Sequence, residues 1–173
     1  MGTRNITMVR VGGKIKVMQY CQWDGYPTGQ GETIAEFIQD KMDLPLFKKQ
    51  VKALRNISAK SLKKIWTDAG ADDSGWVSME IADKVKAAYP EFSSDTGADI
   101  LELIHSGKVK KVSQSKGQLG QSWIEFVYDL DLDKETVAVY VDGGKKPAKV
   151  IPFDKFTVKS MKKLEKELYG NEE

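Results

Sequence analysis

A chain of 173 residues with 40% hydrophobic and 30% charged residues fits one α+β domain with a packed core and argues against a disordered polymer. Its 27 Lys and Arg against 25 Asp and Glu give a formal net charge of +2, too little for the strong positive field of a nonspecific nucleic-acid binder. Cys21 and His105 are the only cysteine and histidine, which excludes an intramolecular disulfide and a Cys/His zinc site.

Along the chain, residues 3–11 and 14–21 are rich in β-branched and apolar types, and Gly12-Gly13 between them predicts a two-residue hairpin turn. The next segment holds three glycines and a proline before Glu32, after which Ile34, Phe37 and Ile38 fall at helical spacing. This reads as a glycine-rich loop feeding a helix. Asp43 and Pro45 open a second helix with Phe47, Val51 and Leu54 on one face, and Ser58 caps a third carrying Leu62, Ile65 and Trp66. Small and polar residues at 69–76 predict a loop. Ser78 opens a helix that Pro90 ends, and another from near Thr96 buries Ile100, Leu101 and Ile104 before Gly107. Residues 123–131 and 136–141 alternate as a second hairpin, and Thr157 caps a last helix with Val158, Met161, Leu164 and Leu168 on one side. The expected fold is an antiparallel sheet, built from the N-terminal and C-terminal hairpins, packed against several helices.

The segment Gln22–Gly31 sets two aromatic rings, a carboxylate and three glycines directly before a helix, where unpaired backbone N–H groups favour an anion. One reading is a nucleotide-like pocket. There Arg4 neutralises phosphate, Trp23 and Tyr26 stack, Gly29 and Gly31 admit a close backbone approach, and Asp24 or Gln30 bonds a sugar or base edge, with Gln22 also among the binding residues. The other reading is structural, with the rings plugging the core, Asp24 in an Asx-turn and the glycines in tight turns. The segment fits neither the Walker pattern nor Gly-x-Gly-x-x-Gly.

Cys21 is a weak candidate nucleophile, since nothing in the sequence brings His105 to it, and His105 reads as a surface residue compensating a helix dipole. Asp129, Asp131 and Asp133 alternate, but Lys134 and Tyr140 stand where a calcium loop needs Gly and Glu. They read as a solvent face leading into a turn. Lys48, Lys49, Lys52, Arg55 and Lys63 lie in the densest basic region, either a solvated helix face or a grip on a partner or nucleic acid. Neither a cofactor nor a metal is expected.

The motifs Gly2-Thr3-Arg4-Asn5, Gln19–Pro27 and Gly29-Gln30-Gly31, with Asp95–Leu101 and Tyr128–Asp133, resemble a group of small proteins encoded by phages and other microbial genomes. The resemblance spans most of the chain and implies stoichiometric binding in host takeover or counter-defence rather than catalysis. The residues themselves leave three functions open: a binder of a nucleotide-like anion at 22–31, an inhibitor of a host protein or nucleic acid through the lysine-rich helices, and a hydrolase or transferase using Cys21. The N-terminus lacks the blocks of a signal peptide and no apolar run reaches membrane-spanning length, so the expectation is a cytoplasmic protein without a membrane partner.

Overall fold

A computed structural model of the chain describes residues 2–114 and 117–170. Strands β1 (Asn5–Val11) and β2 (Lys14–Cys21) form the expected hairpin. Gly12 and Gly13 take φ of +60° and +73°, the left-handed pair that a primed turn requires. The helical run α1 follows as Pro27–Gly31, Glu32–Glu36 and Phe37–Lys41 without a break, its first and last parts wound with π-type bonding. The helix therefore begins at Pro27, and Gly29 and Gly31, expected in a loop, form its first turn. Proline at a first helical position supplies a fixed helical φ, and the Tyr26 carbonyl accepts from both Gly29 N and Gly31 N, so local bonding offsets the poor helix propensity of glycine.

The side chain of Asp43 accepts from Leu46 N at the start of α2 (Leu44–Ala53). After it come β3 (Arg55–Asn56) and α3 (Ala59–Asp68), capped by Ser58. Helix α4 (Met79–Ala88), capped by Ser78, stops just before Pro90. Helix α5 (Ile100–His105) is entered through a 3₁₀ turn at Gly97–Asp99 and leads to β4 (Lys111–Val112). The chain then forms β5 (Phe126–Asp131), β6 (Thr136–Val141), β7 (Lys149–Pro152) and α6 (Val158–Tyr169). Thr157 and Ser160 exchange bonds at the start of α6 as a capping box.

The fold is α+β, with a mostly antiparallel main sheet in the order β2-β1-β5-β6-β7. The two hairpins are joined by a parallel contact, β1 against β5, with Asn5 opposite Phe126 and Arg10 opposite Asp131. Both central strands are buried along nearly their whole length, as parallel neighbours covered on both faces require. Strand β7 extends the C-terminal hairpin at the sheet edge, and β3 pairs with β4 in a separate two-residue parallel ladder. Periodicity signalled none of these three short strands, because two to four residues carry too little alternation to read.

One face of the sheet, with Val9, Phe126, Tyr128, Leu130 and Val139, packs on α1, α2, α5 and α6 through Ile34, Phe47, Ile104 and Met161. The other face carries a smaller cluster of Ile6, Met8, Met18, Ile124 and Val127. Helices α3 and α4 sit at the margin: α3 buries no residue fully and α4 only Val85. Leu62, Ile65 and Trp66 thus form a half-buried stripe rather than core. Among the described residues, no helix is long and apolar enough to cross a membrane.

Candidate functional site

The segment between β2 and α1 is held from inside. Asn5, fully buried, reaches the carbonyls of Thr3 and Trp23 through Nδ2 at 3.0 Å and that of Cys21 at 3.4 Å. The buried Tyr128 hydroxyl donates to the Gly25 carbonyl at 2.6 Å. Burial raises the Tyr128 phenol well above its ordinary pKa, which keeps it a donor. These contacts fix where the chain leaves the sheet, and neither Asn5 nor Tyr128 was legible as part of the site. Each sits at an ordinary strand position, and only the fold brings the loop over it.

The anion cradle expected at the start of α1 is already filled. Glu165 of α6 accepts through Oε2 from Thr28 N at 2.8 Å and from the Thr28 hydroxyl. Gln30 N donates to the Asp24 carbonyl at 2.7 Å, while Gly29 N and Gly31 N donate to Tyr26. A carboxylate from the same chain thus takes the position a ligand anion would occupy. A Cβ on Gly31 would lie 2.9 Å from Met161 Sδ, and one on Gly29 would strike the Asp24 carbonyl. Both glycines serve close packing within the chain.

Gln30 is also turned inward, its Oε1 accepting from Ala98 N at 2.8 Å and its Nε2 donating to the Trp23 carbonyl at 3.4 Å. Asp24 takes a left-handed φ of +54°, and among the described residues its side chain makes no hydrogen bond; the bond it accepts goes to its backbone oxygen. Tyr26, 44% exposed, packs its ring on Phe126 and Tyr169 at centroid distances of 6.0 and 6.2 Å. It does not face the same cleft as Trp23.

What remains of the pocket gathers on the other side of the loop. Arg4, Gln22 and Trp23 line an open cleft of about 300 Å³ with Gly2 and Tyr20. Trp23 is 49% exposed and is anchored by a bond from its Nε1 to Asp95 Oδ1 at 2.9 Å. The Arg4 guanidinium carbon lies 5.9 Å from the centre of the Trp123 ring, and Trp123 meets Tyr20 edge to face at 6.1 Å. Among the described residues, Arg4 forms no ion pair. Burial holds the Tyr20 phenol above its ordinary range, opposed by the nearby Arg4 charge. Tyr20 lies near the end of β2, two residues before Gln22. Trp123 lies 100 residues downstream of Trp23 and carried no signal of the cleft.

Cys21 is fully buried, with Sγ 3.5 Å from the Trp23 carbonyl oxygen and 3.8 Å from Gln30 Nε2. Burial pushes its thiol pKa up, the opposite of what a nucleophile needs. His105 is elsewhere: its Nε2 accepts from Asp43 N at 3.0 Å and its ring packs on Phe37 and Phe47 at 5.7 and 5.9 Å. It is a half-buried packing residue, not the exposed dipole partner expected, because α5 ends directly against α2.

The three alternating aspartates are likewise used internally. Asp129 is buried and takes a two-pronged bond from Arg10, Nε to Oδ1 at 3.0 Å and Nη2 to Oδ2 at 2.7 Å. Asp131 accepts from the backbone N–H groups of Asp133 and Lys134, and Asp133 from Gly12 N at 2.6 Å. The expected solvent face is thus a bracket tying the two hairpins together. Among the described residues, no three His, Cys, Asp or Glu side chains gather as a metal site. In the basic region, Lys48 pairs with Asp133 at 3.6 Å and Lys63 with Asp73 at 3.3 Å. Lys49, Lys52 and Arg55 are exposed.

No protein-family model, curated protein or solved structure matches this chain. The geometry of its own residues therefore carries the functional reading.

Proposed function

We propose that this protein binds a planar, anionic ligand of the nucleotide type in the cleft of Arg4, Tyr20, Gln22 and Trp23, stoichiometrically and without catalysis. The observation that carries the reading is that Arg4, which forms no ion pair among the described residues, and the half-exposed indole of Trp23 line one open cleft. An indole offers a stacking face, and a guanidinium offers a fork of N–H donors matched to phosphate or carboxylate oxygens. Gln22, exposed beside them, supplies both a donor and an acceptor for a sugar or base edge. A thiol made less acidic by burial and aspartates already bonded within the chain favour binding over chemistry. Together with the likeness of the N-terminal motif to small phage-encoded proteins, this reading makes the chain a cytoplasmic accessory protein that sequesters a host nucleotide or blocks its use.

Calorimetry against mono-, di- and cyclic nucleotides tests the reading. At least one should bind at a ratio of one to one, with affinity falling at least tenfold on Arg4→Gln and on Trp23→Leu. Both side chains reach solvent, so both variants should keep the parent's unfolding midpoint within a few degrees. A folded parent protein that binds nothing in the panel, or variants that bind as well as the parent, would refute it.

A further inference from the structure

The formal charge of +2 conceals a sharp division of charge. Residues 44–67 hold seven Lys and Arg and no Asp or Glu, and residues 103–124 hold four and again no carboxylate. These two stretches contain eleven of the 27 cations and none of the 25 acids, so the remainder of the chain carries 16 cations against 25 carboxylates. Such asymmetry within one chain is an electrostatic footprint that total charge averages away.

The fold brings the two basic stretches together at the β3–β4 ladder. Arg55 N donates to the Lys110 carbonyl at 3.1 Å and Ile57 N to the Val112 carbonyl at 2.9 Å, with Arg55 directly opposite Lys111. Like charges opposite each other on paired strands repel, and among the described residues neither these two nor Lys110 forms an ion pair. All three line a cleft of about 500 Å³ floored by Leu54, Ile104 and Val109. Gln50 also lines it, donating through Nε2 to the His105 carbonyl at 2.8 Å. Its Oε1 is buried with no donor among the described residues.

We infer that the β3–β4 ladder and its cleft form a binding site for the phosphodiester backbone of a nucleic acid. Arg55 presents a guanidinium fork to one phosphate, and Lys110 and Lys111 act as point charges on its neighbours. Gln50 Oε1 is free to accept from a sugar hydroxyl or a base amino group that enters over the apolar floor. A bound phosphate lowers the mutual repulsion of Arg55 and Lys111, so the ligand stabilises a juxtaposition that is unfavourable without it. This site shares no residue with the Arg4–Trp23 cleft and stands independently of it.

The test is fluorescence anisotropy with labelled single-stranded and double-stranded DNA and RNA oligonucleotides over a series of salt concentrations. Binding should weaken steeply with salt, because each neutralised phosphate contributes about 0.9 to the log–log slope on a duplex and about 0.7 on a single strand. Arg55→Gln/Lys110→Gln/Lys111→Gln should lower that slope by about 2–3. A charge-matched variant, Lys155→Gln/Lys159→Gln/Lys162→Gln, removes the same charge from α6 and the turn before it and should leave the slope unchanged. All six side chains are exposed, and circular dichroism verifies folding. The preferred oligonucleotide identifies the strand form that is recognised. The inference is overturned if no oligonucleotide binds at low salt, if the two triple variants behave alike, or if polyglutamate competes as well as an unlabelled oligonucleotide does.

Discussion

Replacing Glu165 by Ala tests the claim that the start of α1 carries its own anion. The substitution removes an acceptor held by Thr28 N at 2.8 Å and by the Thr28 hydroxyl, and it leaves a helix start with no carboxylate. Enclosed hydrogen bonds to a charged group contribute about 1.5–3 kcal/mol each, and a carboxylate at a helix N-terminus about 0.3–1 kcal/mol. Thr28 is exposed and Glu165 only half-buried, so solvent screening places the loss at about 1–2 kcal/mol. In a chain of this length that lowers the unfolding midpoint by about 2–8 °C. Urea unfolding followed by tryptophan fluorescence measures it, with the m-value unchanged because the exposed surface is the same. Glu165→Gln keeps a neutral acceptor and should lose about half as much. A loss below about 0.5 kcal/mol for the alanine variant, the ordinary range of a surface substitution, would refute the reasoning, as would a glutamine variant less stable than the alanine one.

Two more outcomes follow from the buried Cys21 and the half-buried Glu91. Cys21 should resist a water-soluble thiol reagent at neutral pH in the folded protein and react fully once urea unfolds it, since burial both shields the sulfur and raises its pKa; rapid labelling of folded protein would contradict this. Burial also raises the pKa of Glu91, so the native state holds that proton more tightly than the unfolded chain and the contribution of Glu91 to stability falls as pH rises through the raised value. Glu91→Gln should therefore be more stable than the parent at neutral pH, with the difference shrinking once pH drops below the ordinary carboxylate range; an advantage that grows on acidification would refute the sign.

Much of the local structure was legible in the sequence because its causes are local. Gly12-Gly13 dictates a primed turn, Asp43, Ser58, Ser78 and Thr157 cap the helices expected of them, and Pro90 ends one helix whatever surrounds it. The site was legible only as a place. The conspicuous segment from Gln22 to Gly31 does stand at the exit of the hairpin, but composition could not say which side of it faces solvent.

Tertiary structure decided that. Residues a few positions apart specify the hairpins, most of the helix starts and stops and the α+β class, the start of α1 at Pro27 being the exception. Only the folded chain could decide that β1 and β5 run parallel, that Glu165 reaches across 137 positions to fill the anion cradle, and that Arg4 and Trp23 line one open cleft with the Arg4 guanidinium over Trp123. It alone joined Arg55 to Lys110 and Lys111 across the β3–β4 ladder. The physical reason is that such pairings arise from burying one shared core, and a side chain's partner is then set by packing rather than by its neighbours along the chain.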